Sequence, residues 1–150
     1  MTQRKVLGIT GSRYGMTNVQ RAHLVAALAG VDEFHNGACS GVDEESHYLA
    51  IDAGVPLIYV HPPENPAFLM DIDKALKARR VGVVVLPPRP YMARNGDIVR
   101  ASHELIAIPG DRVRSGTWST VNMAAHARKV CTIFHPDGRV ERRDPENPQP

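Results

Sequence analysis

ELIAIPGDRVRSGTWSTVNMAAHARKVCTIF, residues 104–134, is the stretch that decides the fold. Glu104–Ile108 is a short apolar run that stops at Pro109-Gly110, which reads as a buried strand. A small-residue loop follows. Thr117–Arg128 then carries Val121, Ala124 and Ala125 at helical spacing, and Val130–Phe134 is a second apolar run. Strand, loop, helix and strand in about thirty residues is the sequence form of a βαβ unit.

The same alternation continues outward. Upstream, Val81–Leu86 (VGVVVL) is an apolar run broken by Pro87, Pro88 and Pro90, and Asn95–Ser102 has helical character. Val55–Val60 (VPLIYV) is a strand ended by Pro62-Pro63. Asn65-Pro66 pairs an N-cap with a first-turn proline, which predicts a helix within 66–80. Near the start, Lys5–Thr10 (KVLGIT) reads as a strand ending in Gly11-Ser12. Thr17 is placed to cap a helix through Ala29 with Leu24, Val25 and Leu28 on one face, stopped by Gly30. Glu33–Gly37 is a weaker strand, and Asp43 is expected to cap a helix through Ala53, closed by Gly54. These signals predict a single α/β domain of three layers, its mostly parallel sheet covered by helices. The domain is expected to span 1–136. The polar segment 137–150, with three prolines beyond Pro136, is expected to be extended or disordered.

Composition limits the function classes. The chain has 150 residues, with 43% hydrophobic and 23% charged side chains, the profile of an ordinary globular domain. Two cysteines, Cys39 and Cys131, cannot build a disulfide framework, and the seven histidines form no HExxH pattern, so no metal site is expected. No apolar segment is long enough to cross a bilayer, and the N-terminus shows no signal-peptide core, so a cytoplasmic location is expected. The net charge of +2 hides an asymmetry. Residues 1–75 carry five basic and nine acidic side chains, residues 76–150 thirteen and seven. Eight of those thirteen lie between Lys77 and Arg114.

In open parallel sheets ligands bind beyond the carboxyl ends of the strands. Here those ends are small-residue loops leading into helices: Gly11-Ser12-Arg13, Gly37 to Gly41, and Pro109-Gly110 followed by Ser115-Gly116-Thr117. Such loops let backbone N–H groups and a helix dipole approach an anion. Ser12, Ser40, Ser115 and Thr117 add hydroxyls, and Arg13 adds a charged fork. GxGxxG and the Walker A lysine pattern are absent.

The segments GSR (11–13), NGACSGVDEESHYLAIDAGVPL (36–57), YMARNGDIV (91–99) and IPGDRVRSGTWSTVNMAAHARK (108–129) resemble the SLOG superfamily of Rossmann-like proteins, which includes the LOG phosphoribohydrolases and the DNA-processing protein DprA. The resemblance covers roughly residues 5–135 and is nearest to the group with G-x-x-x-G-x-D after the second strand (37–43), RN (94–95) before the fifth strand's helix and SGTW (115–118) after it. It implies a Rossmann-like fold and a site for a nucleotide or nucleotide derivative. Carried over, that site comprises Gly11, Ser12, Arg13, Gly37, Gly41, Asp43, Arg94, Asn95, Pro109, Gly110, Ser115, Gly116 and Thr117. LOG enzymes place a glutamate three residues past the threonine. Here that residue is Thr120, which has no carboxylate to act on an N-glycosidic bond.

Several residues admit two readings. Asp43 and Glu44 either cap and compensate a helix start, or recognise a ribose, the role given to Asp43 in a binding protein, or, in an enzyme, activate water in place of the missing glutamate. Arg94 is either solvated or a phosphate partner. Trp118 either packs the helix start against the sheet or stacks on a base, and His47 is a surface or packing residue rather than a catalytic one. Lys74, Lys77, Arg79 and Arg80 form a solvated face, or else frame an anionic ligand or an oligomer contact. The sequence therefore predicts a nucleotide-type phosphorylated ligand bound by a sensor or sequestering protein, with no further cofactor and assembly as a homo-oligomer. The alternative is a nucleoside monophosphate N-glycosidase. Single-stranded nucleic acid is not the expected partner, because aromatics are only 5% of the chain.

Overall fold

The computed structural model describes residues 3–77, 81–111 and 115–147. Arg79, Arg80, Arg112 and Arg114 lie outside the described residues, so the charged face that includes the first two is described only at Lys74 and Lys77.

The chain order is β1 (Val6–Gly11), α1 (Asn18–Ala27), β2 (Glu33–Asn36), α2 (Val42–Asp52), β3 (Leu57–Val60), a 3₁₀ turn (Pro66–Phe68), α3 (Ile72–Ala75), β4 (Gly82–Val85), α4 (Tyr91–Ala101), β5 (Glu104–Ile108), α5 (Gly116–His126), β6 (Val130–Phe134) and β7 (Val140–Arg143). The described strands form one sheet in the order β4-β3-β2-β1-β5-β6-β7. All neighbours pair in parallel except β6 and β7, which are antiparallel. From β1 the chain winds outward through β2, β3 and β4, then returns to the other side of β1 with β5. The topological switch therefore lies between β1 and β5. This is a Rossmann-like α/β arrangement.

At the centre of the sheet both faces are buried, as β5 shows residue by residue. Ile106 and Ile108 join the core formed with Leu24 and Leu28 of α1 and Val42 and Ala50 of α2. Leu105 and Ala107 point the other way, into the core formed with Ile98 of α4 and Val121 and Ala124 of α5. An uninterrupted apolar run is what a two-sided strand requires. Gly8 of β1 serves the same packing: a Cβ there would lie 2.9 Å from Ile98 Cγ2 and 3.2 Å from Ser102 Cβ. Glycine lets α4 approach the sheet.

The structure corrects several sequence expectations. Val25 of α1 is exposed, while Leu24 and Leu28 are buried. Thr17 caps α1 as expected and forms a capping box with Gln20. Asp43 does not cap α2: the N-cap is Gly41, and Asp43 sits inside the first turn. The helix expected within 66–80 is reduced to the 3₁₀ turn and the four residues of α3. Helix α4 begins at Tyr91 rather than Asn95, with Pro90 as N-cap. The tail is not uniformly extended or disordered, because Val140–Arg143 pairs with β6 and covers its edge.

Candidate functional site

The loops after β1 and β5 meet at the topological switch. Ser12 N–H donates to Ile108 O at 3.1 Å, which ties the two strand ends together. The loop after β2 is joined to them: Val42 N–H donates to Ser12 O at 2.9 Å. Gly41 has φ +86°, and a Cβ there would collide with the backbone of Ser12 and Arg13. Only glycine allows these two loops to touch.

Gly11, Ser12, Arg13, Tyr14, Tyr91, Gly110, Asp111, Ser115, Gly116 and Thr117 surround an open pocket of about 200 Å³ at this junction. Helix α5 starts at Gly116, and its first turn holds no acidic residue. Ser115, its N-cap, makes no side-chain capping bond, so its hydroxyl and the first N–H groups are not used against each other. Tyr91 lies against Gly116, where a Cβ would come 3.1 Å from Cε1 and Cζ of its ring. The Arg13 guanidinium stacks 4.2 Å from the Phe68 ring centroid and 5.7 Å from that of Tyr91. Among the described residues the pocket therefore offers helix-end donors, hydroxyls, one exposed cation, the carboxylate of Asp111 and two tyrosines.

A smaller space of about 20 Å³, near the room of a single water, adjoins it. Gly11, Arg13 and Tyr91 border both, and Gly37, Cys39, Asp43, Arg94 and Asn95 complete the smaller one. Arg94 is not solvated: it is 3% exposed, donates from Nη1 to Gly37 O, and reaches His61 O at 3.4 Å. Its Nε is buried without a partner. Gly37 must lack a Cβ, which would overlap Arg94 Nη1 and lie 2.9 Å from Asp43 Oδ2. The Asp43 carboxylate accepts the N–H of Cys39 at 3.2 Å. Burial pushes that carboxyl up, against the opposing pull of the Arg94 guanidinium and the backbone N–H groups of Cys39 and Gly37. Burial likewise raises the Cys39 thiol.

The predicted residues thus divide. Gly11, Ser12, Arg13, Gly110, Ser115, Gly116 and Thr117 line the open pocket, whereas Gly37, Asp43, Arg94 and Asn95 line the small adjoining space. Ser40, Gly41, Pro109 and Glu44 line neither. The Ser40 N–H is taken by Phe68 O at 2.7 Å, and Pro109 O accepts from the Gln20 amide at 2.9 Å. Thr120, in the glutamate position, is buried and donates to Gly116 O at 2.8 Å. Trp118 packs beside β6 and β7, with Arg143 5.6 Å from its ring. His47 is a core residue, bridging Asn36 and Ala75 O.

Tyr14, Tyr91 and Asp111 were not among the residues expected from sequence. The available signal was position: each lies within two residues of a predicted loop end or proline break.

No protein-family profile and no curated protein sequence matches the chain. Solved structures do. A molybdenum cofactor binding protein from Rippkaea orientalis aligns with a TM-score of 0.65 and 18% identity, over 90% of this chain and 78% of that one. The molybdenum cofactor carrier protein of Chlamydomonas reinhardtii aligns with a TM-score of 0.58 and 20% identity, over 87% and 76%. At such identities the likeness establishes the fold. Among the described residues no helix is long and apolar enough to cross a membrane.

Proposed function

We propose that the chain binds a phosphorylated, nucleotide-type small molecule at the junction of the β1 and β5 loops and acts as a carrier, sensor or sequestering protein. The observation that carries this reading is the N-terminus of α5. It borders the pocket at the topological switch, has no acidic residue in its first turn, and is flanked by Ser12, Ser115 and Arg13. A phosphate there would receive backbone N–H groups, hydroxyls and a guanidinium fork. Tyr14 and Tyr91 give the attached ring a flat apolar surface. The names of the similar solved structures support the same ligand class, since the molybdenum cofactor is itself a phosphorylated heterocyclic compound. This reading includes assembly as a homo-oligomer, which sedimentation velocity tests.

One observation favours a second reading. Asp43 borders a space the size of one water beside the pocket, which is where a hydrolytic water would be held for N-glycosidic cleavage. Glu44 is outside that space and drops out as a replacement carboxylate.

Thermal shift with nucleoside monophosphates, their unphosphorylated nucleosides, NAD, ADP-ribose and the molybdenum cofactor tests the first reading. Phosphorylated members are expected to stabilise the protein and the nucleosides are not. No shift with any phosphorylated compound would overturn it. Release of free base that vanishes in Asp43→Ala would replace binding by hydrolysis.

A further inference from the structure

Arg94 also borders a second groove, of about 210 Å³, at the carboxyl ends of β3 and β4. Its other walls are His61, Pro62, Leu86, Pro87, Arg89 and Asp97. The groove is mostly apolar, and Arg89 is held by Asp97 through Nε at 2.7 Å.

His61 is the end of a buried chain of hydrogen bonds. Glu33 Oε2 lies 2.7 Å from His35 Nε2, and His35 Nδ1 lies 2.8 Å from His61 Nε2. The direction of the chain follows from its far end. Glu33 is paired with Arg4 and ionised, so it can only accept, and His35 must carry its proton on Nε2. His35 Nδ1 is then an acceptor and receives the proton on His61 Nε2. His61 Nδ1 is left with a bare lone pair. This nitrogen has no hydrogen-bond partner among the described residues, although His61 is only 6% exposed. Burial, and then the neighbouring His35, hold the His61 imidazole down to about 4, so it stays neutral and keeps that lone pair at neutral pH.

The neutral acceptor and Arg94 border the same groove; the guanidinium's Nη2 makes no hydrogen bond among the described residues, while its Nε is enclosed and out of a ligand's reach. The acceptor calls for a donor on the ligand, and the guanidinium calls for an acceptor next to it. A cyclic amide edge, an N–H adjacent to a C=O, supplies both on one flat ring, and Pro62, Leu86 and Pro87 suit its faces. We propose that this groove is a second binding site that takes the lactam edge of a small oxo-heterocycle, its N–H on His61 Nδ1 and its C=O on Arg94. The site stands independently of the phosphate pocket, and its ligand need not carry a phosphate.

Uracil is a minimal probe, and its N,N′-dimethyl derivative keeps both carbonyls but has no N–H. ¹⁵N-labelled protein reports the His61 ring nitrogens directly. The expected result is an Nε2–H tautomer in the free protein and a shift of the Nδ1 resonance on adding uracil. The dimethyl derivative is expected to bind about tenfold more weakly, the loss of one good hydrogen bond. Glu33→Gln acts through the chain without touching the groove: an amide at 33 can donate as well as accept, which removes the fixed direction. In that variant the preference for uracil over its dimethyl derivative is expected to shrink and the His61 tautomer to become mixed. Equal binding of both probes, an unperturbed Nδ1 resonance, or a preference unchanged in Glu33→Gln would each overturn the proposal. His61→Phe serves as the loss-of-site control.

Discussion

Arg13→Ala separates binding from folding. Arg13 is exposed, and among the described residues its guanidinium contacts the rings of Phe68 and Tyr91 rather than a carboxylate. Exposed cation–π contacts contribute about 0.5–1 kcal/mol, and the more distant Tyr91 contributes less, so the substitution costs the fold about 1 kcal/mol. Its effect on a bound phosphate is larger. A charge-assisted hydrogen bond to an anion contributes about 1.5–3 kcal/mol, and so the dissociation constant of a nucleoside monophosphate should rise about 10- to 150-fold. Arg13→Lys keeps the charge but loses the planar fork, and should fall between. Titration calorimetry on the three proteins gives the affinities, and urea unfolding gives the stabilities. Unchanged affinity in Arg13→Ala would refute the assignment of Arg13 to the phosphate. A loss of stability far above the cation–π estimate would refute the surface role from which the magnitude was derived.

Three further outcomes follow from the geometry. Gly116→Ala adds a methyl that presses on Tyr91. Alanine is favoured over glycine in a helix by up to about 1 kcal/mol; stability should therefore change little while nucleotide affinity drops, and unchanged affinity would contradict the placement of Gly116 at the site. Thr120→Glu restores the LOG-type glutamate but places it at a buried position that is 1% exposed. Unfolding should become easier by about 3 kcal/mol or more, with no base released; base release at wild-type stability would contradict the account. The third concerns pH. An unfolded imidazole takes up its proton near 6.5 but His61 in the fold only near 4, so between those values the unfolded chain holds the extra proton. Stability should be full above 6.5 and fall with pH by on the order of 3 kcal/mol towards 4. His35 and His47, also lowered by burial, add to the slope, and His61→Phe should flatten it in urea titrations at stepped pH.

The parallel core of this fold was legible because its signal is local. ELIAI and VCTIF carry their burial in their composition, and the structure forms strands over the same residues. Strand β7 was not legible: Val140–Arg143 is three-quarters charged and is ordered by pairing with β6 rather than by any apolar face of its own. Helix α4 was placed four residues late because a proline break usually reads as a stop, whereas Pro90 here supplies the N-cap. At the site, the loops of small residues line a pocket in the structure, since close backbone approach needs them. What the sequence could not show is which polar groups are already spent. Nη1 of Arg94 is taken by the carbonyls of Gly37 and His61, contributed by distant loops, and the Ser40 N–H by Phe68 O. The His35–His61 contact joins β2 to the residue just past β3, and neither histidine has a local feature that would announce it.

The bond from Val42 to Ser12, with Gly41 pressed against the same backbone, means that the pocket floor is main chain held by main chain. Its shape therefore does not wait for an occupant. A ligand resting on Ser12 and Arg13 has little entropy of that segment to remove, so more of its contact energy there can appear as affinity. Selectivity must then be written in the side chains that stand above the floor. On the proposed reading, exchanging Tyr14 or Tyr91 retunes the preferred ring and leaves the main-chain floor intact, so the side chains alone would redirect the scaffold from one phosphorylated molecule to another.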